Sequence, residues 1–393
     1  MENPVQQTRL LNPDFIYGFF CLFMFLSAIY TLMPTLPLYL ENLGSGVREI
    51  GILIGAFSAS SLVLRIVVGR LLTRYSEKSI MQIGALLFAL TFVALLIFSR
   101  FWEILTIRLF QGAAFACLDT AALAFVVNIS PAANRARAIG HFLLGPTFAL
   151  AVAPYFGMFL MNRFNFTVLF LICLFFCLCS LFVASRIHSR KNGNPVMEIP
   201  SHDQTGQIID TGIIPSALMS LVCNFIWGAL IAFLPLYALQ NGVNNPGYFF
   251  SSSGLMLVLC RIGAGRILDN WKKERLIMTF MSVSTIAMVI LYFSRTLSLF
   301  TLAGLLWGTG SAFFFPATMA YALDDAGSSG GTAVGTLRVM TDLGLSLGPV
   351  LTGLMIPFIG YRTMFLFLGL LYIADMSYLT FFLRRRTRLI TGS

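Results

Sequence analysis

The stretch Val63–Leu72, VLRIVVGRLL, places two arginines inside an otherwise apolar run, and the chain repeats this pattern 196 residues later at Leu259–Leu268, LCRIGAGRIL. A repeat over so long an interval indicates that two related halves make up the chain. Charged side chains inside an apolar run also need a structural or functional reason, because burying a charge is costly. The matching positions are Arg65 with Arg261, Gly69 with Gly265, and Arg70 with Arg266.

The composition is that of an integral membrane protein. Of the 393 residues, 58% are hydrophobic and only 11% are charged, whereas a soluble protein carries about 25% charged residues. Apolar runs recur along most of the sequence, and their length of about 20 residues is what an α-helix needs to cross a bilayer. A transmembrane β-barrel is excluded, because the sequence lacks the short alternating segments of such barrels.

Glycines, prolines and charged clusters divide the apolar sequence into twelve predicted transmembrane helices, so we expect an all-α membrane protein. Most connections are short, but residues 186–211 form a polar stretch that we interpret as a solvated linker. The sequence therefore predicts two six-helix bundles, 1–185 and 212–393, on either side of this linker. The predicted spans are 14–39, 47–72, 79–99, 101–127, 136–160, 164–185, 212–238, 247–269, 276–294, 298–322, 332–356 and 361–383.

The distribution of positive charge predicts the orientation in the membrane. Seventeen lysines and arginines fall in the even-numbered loops and terminal segments, against five in the odd-numbered loops. Positive residues concentrate on the cytoplasmic side, so we expect both termini to be cytoplasmic in a cell membrane, such as the inner membrane of a bacterium. This distribution accounts for the net charge of +10 and argues against a nucleic-acid partner. We expect a monomer surrounded by lipid.

Further matches extend the repeat over most of the chain. LPLYLENLG at 36–44 corresponds to LPLYALQNG at 234–242, at the end of the first predicted span of each half. Six spans in each half restore the direction of the chain, so the halves are predicted to be parallel repeats. Three other matches occur at nearly the same interval: Gly112 with Gly308, Gly140 with Gly335, and Pro154 with Pro349.

Several motifs in this order resemble those of the major facilitator superfamily, over essentially the whole chain. The family's signature loop, Gly-x-x-x-Asp-Arg-x-Gly-x-Arg/Lys, is matched in part by Gly69–Lys78, GRLLTRYSEK, which has Thr73 in place of the aspartate. The second-half copy, Gly265–Arg275, retains the acid as Asp269. The segment Arg108–Gly112, RLFQG, is similar to the family's Arg-x-x-Gln-Gly element.

One motif points to a branch of that family. Ala153, Pro154 and Gly157 form a variant of the Gly-Pro-x-x-Gly element that is associated with antiporters, and Gly348 and Pro349 begin a looser copy. The resemblance therefore implies a secondary transporter with two six-helix repeats. It also implies export of the substrate in exchange for protons.

The repeated arginines suggest a latch between the two halves, at the cytoplasmic ends of the second and eighth spans, that is closed when the substrate path faces outward. On this hypothesis, Asp269 accepts hydrogen bonds at the start of the fifth span and holds the cytoplasmic side closed. The alternative is that the arginine side chains only extend to the lipid headgroups. The residues assigned to the latch are Arg65, Gly69, Arg70 and Arg74 in the first half, Arg261, Gly265, Arg266 and Asp269 in the second, and Arg135 and Arg137 on the fifth span.

Ionisable residues within the spans are candidates for function, because a charge at the bilayer centre costs about 3 kcal/mol on insertion scales. Arg108 and Asp119 are eleven residues apart, which places them on one face of the fourth span at a separation of about 16 Å. Asp119 has no oppositely charged neighbour one turn away. It is the first candidate for a carboxylate that carries a proton or binds a cation, and a structural, hydrogen-bonded aspartate is the alternative.

Four other ionisable residues are candidates. Arg338 and Asp342 are four residues apart, a spacing that permits an ion pair within the eleventh span. Such a pair either is structural or opens when a substrate or a proton arrives. Asp375 lies in the twelfth span, which in the resembled family is usually outside the cavity. His141, near the cytoplasmic surface, either titrates near neutrality or is an ordinary interfacial residue.

Substrate-contacting side chains are expected from the first, fourth, seventh and tenth spans. Tyr30, Asn224 and Trp227 are the candidates, and Arg108 or Arg338 is available to hold an anion. The sequence contains no nucleotide-binding loop, catalytic triad or cluster of metal ligands, and its seven cysteines all lie in apolar runs. We therefore expect neither an enzyme nor a cofactor or metal site.

The leading hypothesis for function is a secondary transporter that exports a drug, metabolite or metallophore by alternating access in exchange for protons. An alternative within transport is proton-coupled uptake of a nutrient or an organic anion. A different class is a membrane receptor or scaffold that does not transport. The lack of a long soluble domain and the intramembrane charges argue against that class.

Overall fold

The computed structural model describes residues 12–131, 134–188, 213–326 and 330–391, apart from the side chains of residues 136, 261–270, 325–326, 330–332 and 383–391. The long regular elements in these ranges are all α-helices, and these ranges contain no β-strand. The helices are α1 (Pro13–Asn42), α2 (Val47–Leu72), α3 (Glu77–Ile97), α4 (Phe101–Ile129), α5 (Arg135–Phe142), α6 (Leu144–Arg163), α7 (Phe166–Ser185), α8 (Ile214–Gln240), α9 (Gly247–Asn270), α10 (Lys273–Phe293), α11 (Leu297–Ala326) and α12 (Gly330–Thr391).

The helices follow the predicted spans with two differences. The span predicted at 136–160 is divided at Leu143 into α5 and α6. The last two predicted spans both lie in α12, which is interrupted at Gly360 (φ 77°, ψ 161°), a conformation that glycine adopts most readily. Ten helical stretches of the described chain are long and apolar enough to cross a membrane. The all-helical membrane class is confirmed, while the count of twelve spans, the cytoplasmic termini and the domain boundaries remain predictions.

The two halves of the chain make equivalent hydrogen bonds at equivalent positions. Tyr39 of α1 donates its hydroxyl proton to the carbonyl oxygen of Leu95 (3.3 Å). Tyr237 of α8 donates to the carbonyl oxygen of Leu291 (3.1 Å). Both acceptors lie near the end of the third helix of their half, so the sequence repeat corresponds to a repeated contact between helices.

A second repeated contact depends on glycine. Gly112 of α4 lies directly against the carbonyl oxygen of Phe57 on α2, and Gly308 of α11 lies against that of Ser253 on α9. A Cβ atom at either glycine would overlap the oxygen. The matched glycines therefore allow the same close approach of two helices in each half.

The two halves also meet directly. We call the end of the bundle where α1 begins and α2 ends the linker end, and the opposite end the loop end. Towards the loop end, α2 packs against α12 and α6 packs against α9. A Cβ built on Gly55 would lie 2.6 Å from the carbonyl oxygen of Ser346, and Asn162 donates a side-chain N–H to the carbonyl of Asn244 (2.9 Å). The halves are thus closed against each other on this side.

The antiporter-type motif lies within these helix contacts. Ala153 and Pro154 are buried, and the carbonyl of Pro154 meets α9. Gly157 packs against the backbone of α1, Gly348 packs against that of α8, and the carbonyl of Pro349 meets α2. Two of these five residues therefore take part in the contact between the halves.

We expect Gly55→Ala to separate the halves at the loop end, because its Cβ would lie 2.6 Å from the Ser346 oxygen and 2.8 Å from a methyl group of Val350. Overpacking of this kind costs about 1–3 kcal/mol. Spin labels on cysteines at 42 and 240 should report a longer distance. The matched control is Gly140→Ala, whose Cβ has nothing within 4 Å; equal distances in both variants would show that this packing does not hold the loop end closed.

Candidate functional site

A cavity of about 180 Å³ lies between the two halves. Its wall is largely apolar and aromatic, and Arg108 and Asp342 are the charged residues in it. Pockets for drug-sized ligands have volumes of about 300–1,000 Å³, so in this conformation the cavity fits a small solute or part of a larger one. The residues that line it are Leu26, Ile29, Tyr30, Leu32, Met33 and Leu36 of α1; Ile54, Phe57, Ser58 and Ser61 of α2; Phe88 of α3; Arg108 and Phe115 of α4; Trp227, Gly228 and Ile231 of α8; and Asp342 and Leu345 of α12.

A network of four charged side chains, which we call the charge network, borders this cavity. Arg65 of α2 lies between two carboxylates: its Nη1 is 2.7 Å from Oδ2 of Asp119 on α4, and its Nε is 2.7 Å from Oδ2 of Asp342 on α12. Arg338 of α12 completes the network with its Nη2 2.6 Å from Oδ2 of Asp119. Two of the three ion pairs therefore join the first half of the chain to the second.

The charge network lies nearer the linker end than the packed glycines do. Arg65 follows Gly55 by ten residues on α2, a displacement of about 15 Å along the helix axis. The guanidinium of Arg65 also lies 5.1 Å from the ring centre of Phe115, which lines the cavity. The cavity is thus bounded by close helix packing on its loop side and by ion pairs on its linker side.

The network is largely buried. The side chains of Arg65 and Asp342 are 12% and 6% exposed, against 21% for Asp119 and 48% for Arg338. Two cations and two anions balance, which reduces the cost of burying each charge. A proton on either carboxylate would remove one interaction between the halves and leave a cation without its full complement of partners. Protonation of a carboxylate would therefore break an ion pair between the halves, and loss of the proton would restore it.

The network can be compared with three statements made from the sequence. Arg65 is paired inside the bundle, and it does not extend to lipid headgroups or to the fifth span. Asp119, which lacks a charged neighbour on its own helix, has two cationic partners from other helices. The pair expected within α12 is not formed; Arg338 and Asp342 bind Asp119 and Arg65 instead. All four members of the network were candidates from the sequence, but the partner of each lies on another helix.

Arg108 is also buried, and it has no ion pair among the described side chains. Its Nε donates to the carbonyl of Leu53 (3.0 Å), its Nη1 donates to Oε1 of Gln111 (2.6 Å), and its Nη2 donates weakly to the carbonyl of Ile54 (3.5 Å). The guanidinium lies 4.7 Å from the ring centre of Phe57. The four charges of the network cancel. Among the described side chains around the cavity, the positive charge of Arg108 is therefore not balanced.

The cavity contains two of the three uncharged candidates. Tyr30 and Trp227 line it, and the indole of Trp227 stacks on that of Trp307 at 4.3 Å. Asn224 is not part of the lining; it is buried and donates to the carbonyl of Ser220 within α8 (2.8 Å).

The remaining candidates lie outside the cavity. Arg70, Arg74 and Arg137 are exposed near the linker end, as is His141, and Gly69 is buried. These residues do not meet in a described latch. The Nε of Arg135 is buried without a hydrogen-bond partner. The side chains proposed for the second half of the latch, Arg261, Gly265, Arg266 and Asp269, lie outside the described residues.

Asp375 is buried in the second half of the chain, at 3% exposure, and neither carboxyl oxygen has a hydrogen-bond partner in the described structure. It does not line the cavity, in agreement with the expected position of the last span. The neighbouring Tyr372 contacts Cys223 of α8, with 3.7 Å between the hydroxyl oxygen and Sγ.

Sequence reasoning missed the contribution of α2 to the cavity. Phe57, Ser61 and Arg65 follow one another at intervals of four residues, so they share one face of α2. That spacing was available as a signal. The expected contribution of the tenth span was wrong for this cavity, because none of its described lining residues belongs to α11.

Comparison with known proteins agrees with the fold. Residues 18–333 match the model of the Major Facilitator Superfamily. The chain is 23% identical to the staphylopine export protein of Staphylococcus aureus over 369 residues, or 90% of this chain and 92% of that protein. It is 22% identical to the quinolone resistance protein NorA of Staphylococcus aureus over 356 residues, or 87% and 90% of the two chains.

A solved structure resembles the fold. The crystal structure of the nucleoside transporter NupG superposes with a TM-score of 0.73 at 12% identity, and the match covers 94% of this chain and 98% of that one. At this identity the likeness shows the fold alone. The family match, together with the apolar helices, shows that the chain belongs to the Major Facilitator Superfamily and is a multi-pass transporter of the cell membrane, not an enzyme.

Proposed function

We propose that this protein exports a small organic molecule by alternating access, in exchange for protons. The observation that carries the proposal is the charge network, because it joins the two halves of the chain next to the cavity. Asp342 belongs to both the network and the cavity wall. A change in the charge of the network therefore alters both the wall of the cavity and the ion pairs between the halves.

Protonation provides the coupling in this proposal. A proton on Asp342 removes the carboxylate that binds Arg65 across the interface, and a proton on Asp119 weakens the contacts of both arginines. Either event allows the linker end to open. Release of the proton restores the ion pairs and closes that end. One proton moving through a potential of 100 mV supplies about 2.3 kcal/mol, enough to drive a modest gradient of a neutral solute.

Export is the proposed direction for two reasons. The relatives named above are an export protein and a drug-resistance protein, and the Ala153–Gly157 segment resembles the antiporter element. The proposal includes twelve spans in two bundles, cytoplasmic termini and a monomer in the lipid bilayer. In this mechanism Asp119 and Asp342 carry the coupled proton. Asp375 and His141 are outside the coupling path, because neither borders the cavity.

The test is transport by the purified protein in sealed liposomes, with staphylopine and a quinolone as the probes. An antiporter should accumulate at least one probe in the lumen when the lumen is more acidic than the medium, and nigericin should abolish this accumulation. The matched control is the Asp342→Asn protein at the same density, which should not respond to the gradient.

The same assay separates the alternatives. Accumulation only when the medium is the acidic side would contradict export and support proton-coupled uptake, the alternative that the unpaired charge of Arg108 favours. Movement of neither probe under either gradient would contradict the proposal and favour a scaffold without transport.

A further inference from the structure

The cavity has an excess positive charge. Among the described side chains, the charged groups near it are the balanced charge network and Arg108. The negative charge of Asp342 does not offset Arg108, because Arg65 already binds that carboxylate at 2.7 Å. A ligand that enters the cavity therefore meets a guanidinium that has no counter-anion among the described side chains.

Arg108 has unused hydrogen-bond donors. A guanidinium carries five N–H groups, and the three hydrogen bonds of Arg108 use one on each nitrogen. One N–H remains on each terminal nitrogen. A carboxylate accepts two parallel hydrogen bonds from such a pair, and contacts of this kind are among the strongest in proteins. The hydrogen bonds to α2 and to Gln111, and the stacking on Phe57, hold the guanidinium in place before a ligand arrives.

A second polar group lies in the same cavity. The hydroxyl oxygen of Ser61 is buried and has no hydrogen-bond partner in the described structure. Ser61 follows Phe57 by one helical turn, and Phe57 stacks on Arg108. A buried hydroxyl without a partner is costly, and a ligand oxygen would satisfy it. The rest of the wall is apolar and aromatic, with Phe115 and Trp227 among its members.

We propose that the cavity binds a small organic anion in which a carboxylate is attached to an apolar, preferably aromatic, body. Arg108 binds the carboxylate, Ser61 donates its hydroxyl proton to a ligand oxygen, and the rings enclose the apolar body. This inference rests on the proposed transport function, but binding of the ligand can be measured in the absence of transport. It assigns a class of substrate that the transport proposal leaves open.

The test uses pairs of ligands that differ in charge but scarcely in shape: benzoate with benzamide, and 2-naphthoate with 2-naphthamide. Binding to the purified protein in lipid nanodiscs is measured by quenching of tryptophan fluorescence and by the shift of the thermal unfolding midpoint, since a ligand stabilises the state that it binds. We expect each carboxylate to bind at least about tenfold more tightly than its amide, as the loss of a charge-assisted hydrogen bond predicts.

Two variants assign the preference to Arg108. Arg108→Gln should remove the preference for the carboxylate, and Arg108→Lys should retain part of it, because the ammonium keeps the charge but not the paired donors. The matched control is Arg362→Gln, since Arg362 also donates to a carbonyl (Tyr292, 2.9 Å) and stacks on an aromatic ring (4.4 Å) but does not line the cavity. The control should keep the full preference.

Three outcomes would overturn the inference. The first is that the carboxylates bind no better than the amides. The second is that Arg108→Gln folds and keeps the preference. The third is that chloride, tested in place of benzoate, gives the same Arg108-dependent shift. The last result would show that the site takes an inorganic anion without an organic body. If carboxylates bind as expected while no probe moves under a proton gradient, the transport proposal fails and the site remains. If gradient-driven export occurs without a carboxylate preference, only the inference fails.

Discussion

Arg65→Gln is expected to reduce gradient-driven transport by about 100-fold. Arg65 is the partner of two carboxylates, and glutamine would leave the Asp342 side chain, which is 6% exposed, without its cation. Removing one member of a buried ion pair costs about 3–5 kcal/mol. The initial rate of probe uptake into liposomes, normalised to the amount of folded protein, measures the effect.

Two further variants show whether that loss of transport comes from the charge network. Arg70→Gln removes an exposed arginine five residues along α2 that has no ion pair among the described side chains, so its rate should stay within about twofold of the parent. Adding Asp342→Asn to Arg65→Gln removes the orphaned carboxylate and should recover thermal stability but not coupling. Transport by Arg65→Gln at the parental rate would show that the network is not needed.

Asp119→Asn is expected to uncouple transport from the proton gradient. Asparagine keeps the volume of the side chain and cannot release a proton, so both Arg65 and Arg338 lose an anionic partner permanently. The variant should still bind a probe and exchange it across the membrane. It should not accumulate the probe above equilibrium when the lumen is acidic. Exchange and gradient-driven uptake are measured on the same vesicle preparation.

The other possible roles of Asp119 give different results in that experiment. If the aspartate is only structural, the amide keeps most hydrogen bonds and coupled transport persists, which would remove Asp119 from the mechanism and leave Asp342. If the carboxylate binds a cationic substrate, binding itself fails and exchange is lost with it. Of the three roles considered for Asp119, only that of a proton carrier gives intact exchange without accumulation.

Much of the fold could be predicted from the sequence, because span length, apolar composition and the internal repeat are local or periodic signals. The equivalent hydrogen bonds of Tyr39 and Tyr237 show that the sequence repeat is also a repeat of contacts between helices. The break of the fifth predicted span at Leu143 was not foreseen. It has no glycine or proline of its own to mark it, and the nearest such residue follows two positions later at Gly145.

The candidate site was predictable in its members but not in its pairing. Each ionisable residue within a span was identifiable from the cost of burying charge. Arg65 and Asp342 are separated by 277 residues, however, and no local pattern in the sequence indicates that their side chains are in contact. The contact within α4 between Arg108 and Gln111, three residues apart, is the kind that spacing does predict. Arg65 does join the two halves, as the latch hypothesis required, but it does so through Asp342 and not at the start of the fifth span. The sequence left its partner open, because the long side chain of an arginine can reach either the interface or the lipid surface.

The central claim is that the charge network holds the linker end closed, and a distance across that end tests it most directly. Spin labels on cysteines at the exposed positions Tyr75 and Trp271, in a protein without its native cysteines, report the separation of the halves at the linker end. Labels at positions 42 and 240 report the loop end. We predict that Arg65→Gln shifts the first distance to longer values and leaves the second unchanged, whereas Arg70→Gln changes neither. An unchanged distance between 75 and 271 in Arg65→Gln would contradict the account.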